Sequence, residues 1–152
     1  MEWIAAVFRG RAEHTVDAKG RTSLPARFRD VLAATGDPRI VLTVSLESCL
    51  VAYPMTEWLA FEERFAKLPQ FDPDVARLRR LLIGNAVECD VDRVGRILVP
   101  SLLREHARIE KDVVWVGGVR NLELWARERF VEAMAGPRDV DALARRVSEL
   151  GL

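Results

Sequence analysis

The sequence predicts a β-rich α+β fold: two tandem copies of one small module, packed as a pseudo-twofold unit with flanking helices. Three observations predict it. Residues 13–29 (E-H-T-V-D-A-K-G-R-T-S-L-P-A-R-F-R) return at an offset of 75 as residues 88–104 (E-C-D-V-D-R-V-G-R-I-L-V-P-S-L-L-R). Glu13, Val16, Asp17, Gly20, Arg21, Pro25 and Arg29 thereby fall on Glu88, Val91, Asp92, Gly95, Arg96, Pro100 and Arg104. After a three-residue deletion the match continues at an offset of 72. I-V-L-T-V (40–44) then lies over D-V-V-W-V (112–116), and Leu50, Tyr53 and Trp58 lie over Leu122, Trp125 and Phe130. Finally, each copy repeats one order of elements, hairpin, proline-started helix, hairpin, and such internal repetition is the signature of a duplicated module. A unit of about 50 residues buries too little surface alone. The copies are therefore expected to share a core, with exchange of hairpins between them.

The elements follow from local chemistry. Phe8 to Val16 alternates as a strand does. Asp17-Ala-Lys-Gly20 is a tight turn, with a carboxylate to bind nearby amides and a glycine for positive φ. Arg21 to Leu24 completes the hairpin. Pro25 suits the start of a helix, where its missing N–H costs nothing, and that helix runs to about Ala34 and stops at Gly36. Ile40–Val44 and Cys49–Tyr53 form a second hairpin across S-L-E-S. Met55–Leu68 carries Trp58, Phe61, Phe65 and Leu68 at helical spacing, as core or a contact between subunits. Asp72-Pro73 opens another helix as cap and first-turn pair. Copy two repeats the scheme: Val87–Val91, the turn Asp92-Arg-Val-Gly95, Arg96–Val99, a helix from Pro100 to about Arg108, then Val113–Val116 paired with Leu122–Trp125. A last helix, Asp139–Leu150, shows Val140, Leu143, Ala144, Val147 and Leu150 as one apolar stripe. The resulting division is module one at 11–57, a helical connector at 58–85, module two at 86–129 and a C-terminal helix at 130–152.

The 152 residues are 49% apolar and 30% charged, as in an ordinary soluble globular protein. No apolar run approaches the ~20 residues a bilayer span needs. The start, M-E-W-I-A-A-V-F-R-G, is too short and too early in its acid for a signal peptide, so the chain reads as cytoplasmic. Cys49 and Cys89 stand far apart with no second pair nearby, which argues against a disulfide framework or a metal site and for buried free thiols. Formal net charge is zero, but it is unevenly spread. Residues 9–29 hold six cations against two acids, residues 45–74 two against six, and residues 75–111 eight against five. The positive charge sits in and just before the repeated motifs, and local field rather than the sum attracts phosphate.

Arg21 and Arg96 follow the glycine of each turn. They either contact phosphate and base edges, for which the planar arginine fork is suited, or bridge back to Asp17 and Asp92. Arg29 and Arg104, eight residues on, have the same pair of readings. Lys19 and Arg93 sit on turn tips, as solvated charges or DNA contacts. Asp17, Gly20, Asp92 and Gly95 read as structural turn residues. The two aspartates each fill one slot of their own module, so they are not a catalytic pair. His14 and His106 are not equivalent; His14 has a possible backbone-phosphate role and His106 a structural or surface one. No phosphate loop or nucleophile elbow is present. The expectation is no catalytic residue, no cofactor and no small-molecule substrate.

These residues resemble the MraZ family. The likeness is carried by F-R-G (8–10), D-A-K-G-R-T-S-L-P-A-R-F-R (17–29), R-L-L-I-G-N-A-V-E-C-D-V-D (80–92), G-R-I-L-V-P (95–100) and L-E-L-W (122–125), over roughly residues 8 to 130. The resemblance implies two tandem SpoVT-AbrB modules built as a swapped-hairpin β-barrel. It also implies a transcriptional regulator that binds repeated boxes in double-stranded promoter DNA of its own cell-division and cell-wall operon. It further implies a ring-shaped homo-oligomer on the bacterial nucleoid. Carried over by motif position, the DNA contacts are Lys19, Arg21, Arg27 and Arg29. Lys19 falls on Val94 and Arg27 on Leu102, so copy one is expected to be the stronger reader, with Arg93, Arg96 and Arg104 in support. The competing class is an oligomeric scaffold or antitoxin-like module that captures a protein.

Overall fold

A computed structural model describes residues 7–136 and 139–152. Residues 1–6 of the opening stretch on which the signal-peptide reading rests, and residues 137–138 ahead of the last helix, lie outside the described residues. The strands are β1 (Arg11–Thr15), β2 (Arg21–Ser23), β3 (Ile40–Val44), β4 (Leu50–Pro54), β5 (Val87–Cys89), β6 (Arg96–Leu98), β7 (Asp112–Gly117) and β8 (Leu122–Ala126). The helices among the described residues are α1 (Ala26–Ala34), α2 (Met55–Ala66), α3 (Pro73–Leu78), α4 (Ser101–Ala107), α5 (Arg127–Ala135) and α6 (Val140–Glu149). Helix α3 runs straight on into one π-helical turn, Arg79–Ile83. None of these helices is long and apolar enough to cross a membrane.

The pairing of strands shows why neither copy stands alone. A six-stranded antiparallel sheet has the order β1-β7-β8-β4-β3-β5, and β2 pairs with β6 in a separate ribbon. So β1 of the first copy lies beside β7 of the second, and β5 of the second lies beside β3 of the first. The hairpins are exchanged, as the size of the module demanded. Strands β4 and β8 meet at the middle of the sheet, on the pseudo-twofold axis that relates the halves. The sheet ends at β1 and β5, which do not pair with each other; it is open rather than closed into a barrel.

One detail of the sequence overlay needs correction. The offset of 72 placed Ile40 on Asp112. In the sheet, Ile40 pairs with Cys89 and Val113 pairs with His14. Because His14 and Cys89 are equivalents, Ile40 corresponds to Val113, an offset of 73. The β7–β8 loop is one residue shorter than the β3–β4 loop, which absorbs the difference. Side chains alternate faces along a strand, so a one-residue error would turn every core residue outward. With the corrected register, Ile40 and Leu42 match Val113 and Trp115, all buried.

The main core draws on both copies: Leu24, Phe28, Ile40 and Leu50 from the first meet Ile97, Leu103, Val113 and Trp115 from the second. Trp115 is fully buried, and its indole Nε1–H donates to the Ser23 carbonyl at 3.0 Å. Phe8 and Phe28 meet edge to face with centroids 6.0 Å apart. A second cluster lies on the other face of the sheet, where Met55 and Trp58 of α2 cover Val41, with Tyr53, Phe61 and Ile83 around them. Trp58 and Phe65 are buried within the single chain.

Cys49 and Cys89 are free and buried. Burial pushes the Cys49 thiol up to about 12 and the Cys89 thiol up to about 11. Since the thiolate is the reactive form, a disulfide-exchange reagent at pH 8 is expected to titrate neither thiol in the native chain and both after denaturation. Fast labelling of the native protein would contradict the packing of β4 and β5. The same protonation makes Cys49 a poor metal donor, although Glu47 and Glu123 lie within 4.8 Å of it.

Candidate nucleic-acid interface

The two Asp-X-X-Gly turns are built alike. Asp17 Oδ1 accepts the backbone N–H groups of Lys19 and Arg21, both at 2.9 Å. Asp92 Oδ1 accepts those of Val94 and Arg96, at 3.0 and 2.8 Å. Gly20 and Gly95 donate to Asp17 and Asp92 carbonyls at 3.0 Å and take φ of 90° and 85°, a region side chains disfavour. The backbone N–H of Arg21 is the main cause that lowers the Asp17 carboxyl below its usual range, and that of Arg96 does the same for Asp92. Burial opposes the shift and the arginine side chains add to it. Both carboxylates therefore stay ionised at neutral pH.

Arg21 and Arg96 bridge back to these aspartates. Arg21 Nε donates to Asp17 Oδ2 at 2.9 Å, and Arg96 Nε donates to Asp92 Oδ2 at 3.0 Å. Each arginine side chain nevertheless keeps 34% exposure. The bridge engages Nε, so both terminal NH₂ groups of each fork are left for another acceptor. The intramolecular and the DNA-contact readings of these residues are thus compatible: the aspartate orients a fork that still has donors to spare.

The ribbon puts the two forks together. Arg21 pairs with Leu98, Thr22 with Ile97 and Ser23 with Arg96. Thr22 and Ile97 are buried, so Arg21 and Arg96 share the opposite, outward face, as diagonal neighbours roughly 7–8 Å apart. Lys19 and Arg93 are exposed on the tips of the flanking turns.

Arg29 and Arg104 go where the one-dimensional pattern gave no hint. Each crosses to the turn of the other copy. A Cβ on Gly95 would run into the Arg29 guanidinium, and one on Gly20 would meet Arg104 Cζ at 3.1 Å. Arg104 Nε donates to the Val99 carbonyl at 3.0 Å, and Arg29 Nη1 lies 3.5 Å from the Val94 carbonyl. The cation count per turn changes as a result. Lys19, Arg21 and Arg104 surround the first turn; Arg93, Arg96 and Arg29 surround the second. The loss of Lys19 at Val94 is offset by Arg93 in place of Ala18. Arg27 is not brought to either turn: its Nη2 donates to the Arg11 carbonyl at 2.7 Å and its guanidinium lies over Phe28. His14 lies in β1 opposite Val113, and His106 is exposed on α4. The pseudo-twofold relation between the copies is the one signal in the sequence from which the crossing arginines could have been found.

Comparison with known proteins agrees with this duplicated architecture. The family model described as "MraZ protein, putative antitoxin-like" matches residues 7–81 and again residues 82–138. The chain belongs to the MraZ family. It is similar to MraZ proteins named "Transcriptional regulator MraZ". That of Marinomonas is 46% identical over 125 residues, 82% of this chain and 83% of its own. That of Thermoanaerobacter pseudethanolicus is 42% identical over 145 residues, 94% and 98% of the two chains. That of Lachnoclostridium phytofermentans is 39% identical over 146 residues, 96% and 99%. The two stretches matched by the MraZ model meet at residues 81 and 82, inside the π-helical turn ahead of β5, so each holds one copy.

Proposed function

We propose that this chain is a transcriptional regulator that binds double-stranded DNA and represses the promoter of its own cell-division and cell-wall operon. The names of its relatives support the regulatory part. The observation that carries the DNA reading is the outward face of the β2–β6 ribbon, where Arg21 and Arg96 are held through Nε by Asp17 and Asp92 with their side chains 34% exposed. Lys19 and Arg93 extend the same basic surface, and Arg29 and Arg104 steady it from the opposite copies. One chain offers a modest patch, and a ring of chains on tandem boxes gains affinity through avidity without new contact types. Arg27 serves the fold of α1 in this reading. No step of it needs a catalytic residue, a metal or a cofactor, and its setting is the cytoplasm, on the nucleoid.

The test is a footprint of the purified protein on DNA upstream of its own gene, followed by a salt titration. Protection of repeated boxes is expected, with affinity falling steeply as salt rises. Lys19→Ala is expected to weaken binding on every sequence and to lower the log–log salt slope by about 1. Absence of a footprint at low salt overturns the proposal. The second reading, a scaffold or antitoxin-like module, is favoured by the exposed apolar stripe of α6. A salt-insensitive affinity for DNA together with a stoichiometric protein partner would select it.

A further inference from the structure

The second copy carries bare apolar side chains where the first carries polar ones. At the offset of 75, Val94, Leu98 and Leu102 stand where Lys19, Ser23 and Arg27 stand in the first copy, and all three are exposed. Surface hydrophobics scattered singly are ordinary, but the place of Leu98 is not. It is 54% exposed on the outward face of the β2–β6 ribbon. Arg21 is its direct cross-strand partner, and Arg96 lies two residues back on the same strand, hence on the same face. The outward face is thus a tile of four side chains: Arg21 opposite Leu98, and Ser23 opposite Arg96. Each arginine is held through Nε by the aspartate four residues before it, at 2.9 and 3.0 Å.

The fold does not require leucine at position 98. Among the described residues it belongs to neither core cluster. Its backbone is fixed from within, where its carbonyl accepts from the Cys89 thiol at 3.7 Å. The matching carbonyl of Ser23 accepts from Trp115 Nε1, and there the same place in the tile holds a hydroxyl.

We infer that Leu98 reads the C5-methyl group of a thymine in the major groove, beside the base edge taken by the Arg21 fork. A two-stranded ribbon fits that groove, where the methyl distinguishes thymine from the other bases and the arginine fork suits guanine. Arg21 and Leu98 have Cβ atoms about 4.5–5.5 Å apart, near the ~3.4 Å step between base pairs. Leu98 therefore meets the base pair next to that of Arg21. Ser23 offers no branched apolar group, so the other half of the tile makes no such demand. This rests on the reading of the chain as a DNA-binding regulator and adds a base that the second copy selects.

The test uses the full-length chain and the promoter box that footprinting protects. Each thymine is replaced singly by deoxyuracil, which differs only in lacking the methyl, and affinity is measured by fluorescence anisotropy at fixed salt. One replacement, beside a guanine, is expected to weaken wild-type binding about fourfold, the equivalent of ~0.8 kcal/mol for one buried apolar carbon. Leu98→Ser copies the residue that the fold already holds at position 23. It is expected to bind the natural and the replaced box with equal affinity, with its unfolding midpoint and salt slope unchanged, since no cation is lost. A protected box in which every thymine accepts deoxyuracil without loss of affinity overturns the inference and leaves the DNA reading standing. A methyl effect that persists undiminished in Leu98→Ser also overturns it, because the contact then belongs to another residue. Absence of any footprint overturns both.

Discussion

Trp115→Ala is expected to destabilise the chain by about 3–5 kcal/mol. The indole is fully buried in β7, and it touches the core contributed by the first copy as well as its own. Its Nε1–H is also the donor to the Ser23 carbonyl, so its removal strips a partner from the β2–β6 ribbon. A buried acceptor left without a donor costs about 1–3 kcal/mol within the same kind of measurement. Domains have net stabilities of about 5–15 kcal/mol, so the variant would sit near the edge of folding. Urea unfolding followed by circular dichroism checks it. A single transition is expected for wild type and variant, because the exchanged strands leave no half with a core of its own. A loss under about 1 kcal/mol, or two separate transitions, would contradict the shared core.

Replacing Arg21 and Arg96 together by alanine is expected to lower promoter affinity by about 100-fold or more, with each base-reading fork worth about 1–3 kcal/mol. The effect should exceed that of Lys19→Ala for a reason visible in the turn. Each arginine neutralises an aspartate at 2.9–3.0 Å. Removing it subtracts a cation and also uncovers Asp17 or Asp92 beside the approaching phosphates. The turn itself survives, since the aspartates still accept the backbone N–H groups of residues 19 and 21, and 94 and 96. Unfolding midpoint and elution volume should therefore stay near wild type. Gel-shift titration at physiological salt is the measurement, and affinity within about threefold of wild type would show that the ribbon is not the reader.

Much of this fold could be read from the sequence because the duplication puts the same chemistry in view twice. Asp17 and Asp92 announced turns, Pro25 and Pro100 announced helices, and the need for a shared core announced exchanged hairpins. What escaped the reading has a common cause. The sequence overlay had no means to see that one loop is a residue shorter, so it slid Ile40 onto Asp112 until the pairing with Cys89 corrected it. It counted cations per copy, whereas Arg29 and Arg104 act on the turn of the other copy. The family likeness placed Arg27 among the DNA contacts, and it gave no sign that the exposed Arg27 fork also holds the Arg11 carbonyl. In each case the deciding contact joins residues far apart in the chain, and a linear pattern carries no distance.

The exchanged outer strands have an evolutionary corollary. Two separate polypeptides tied by the same exchange would obey true symmetry, and any substitution would appear in both halves at once. Joined head to tail, the halves are released from that constraint, and the chain has used the release: a lysine at position 19 answers a valine at 94, an alanine at 18 answers an arginine at 93. Such a fused pair is able to address a lopsided target, one half reading what the other ignores.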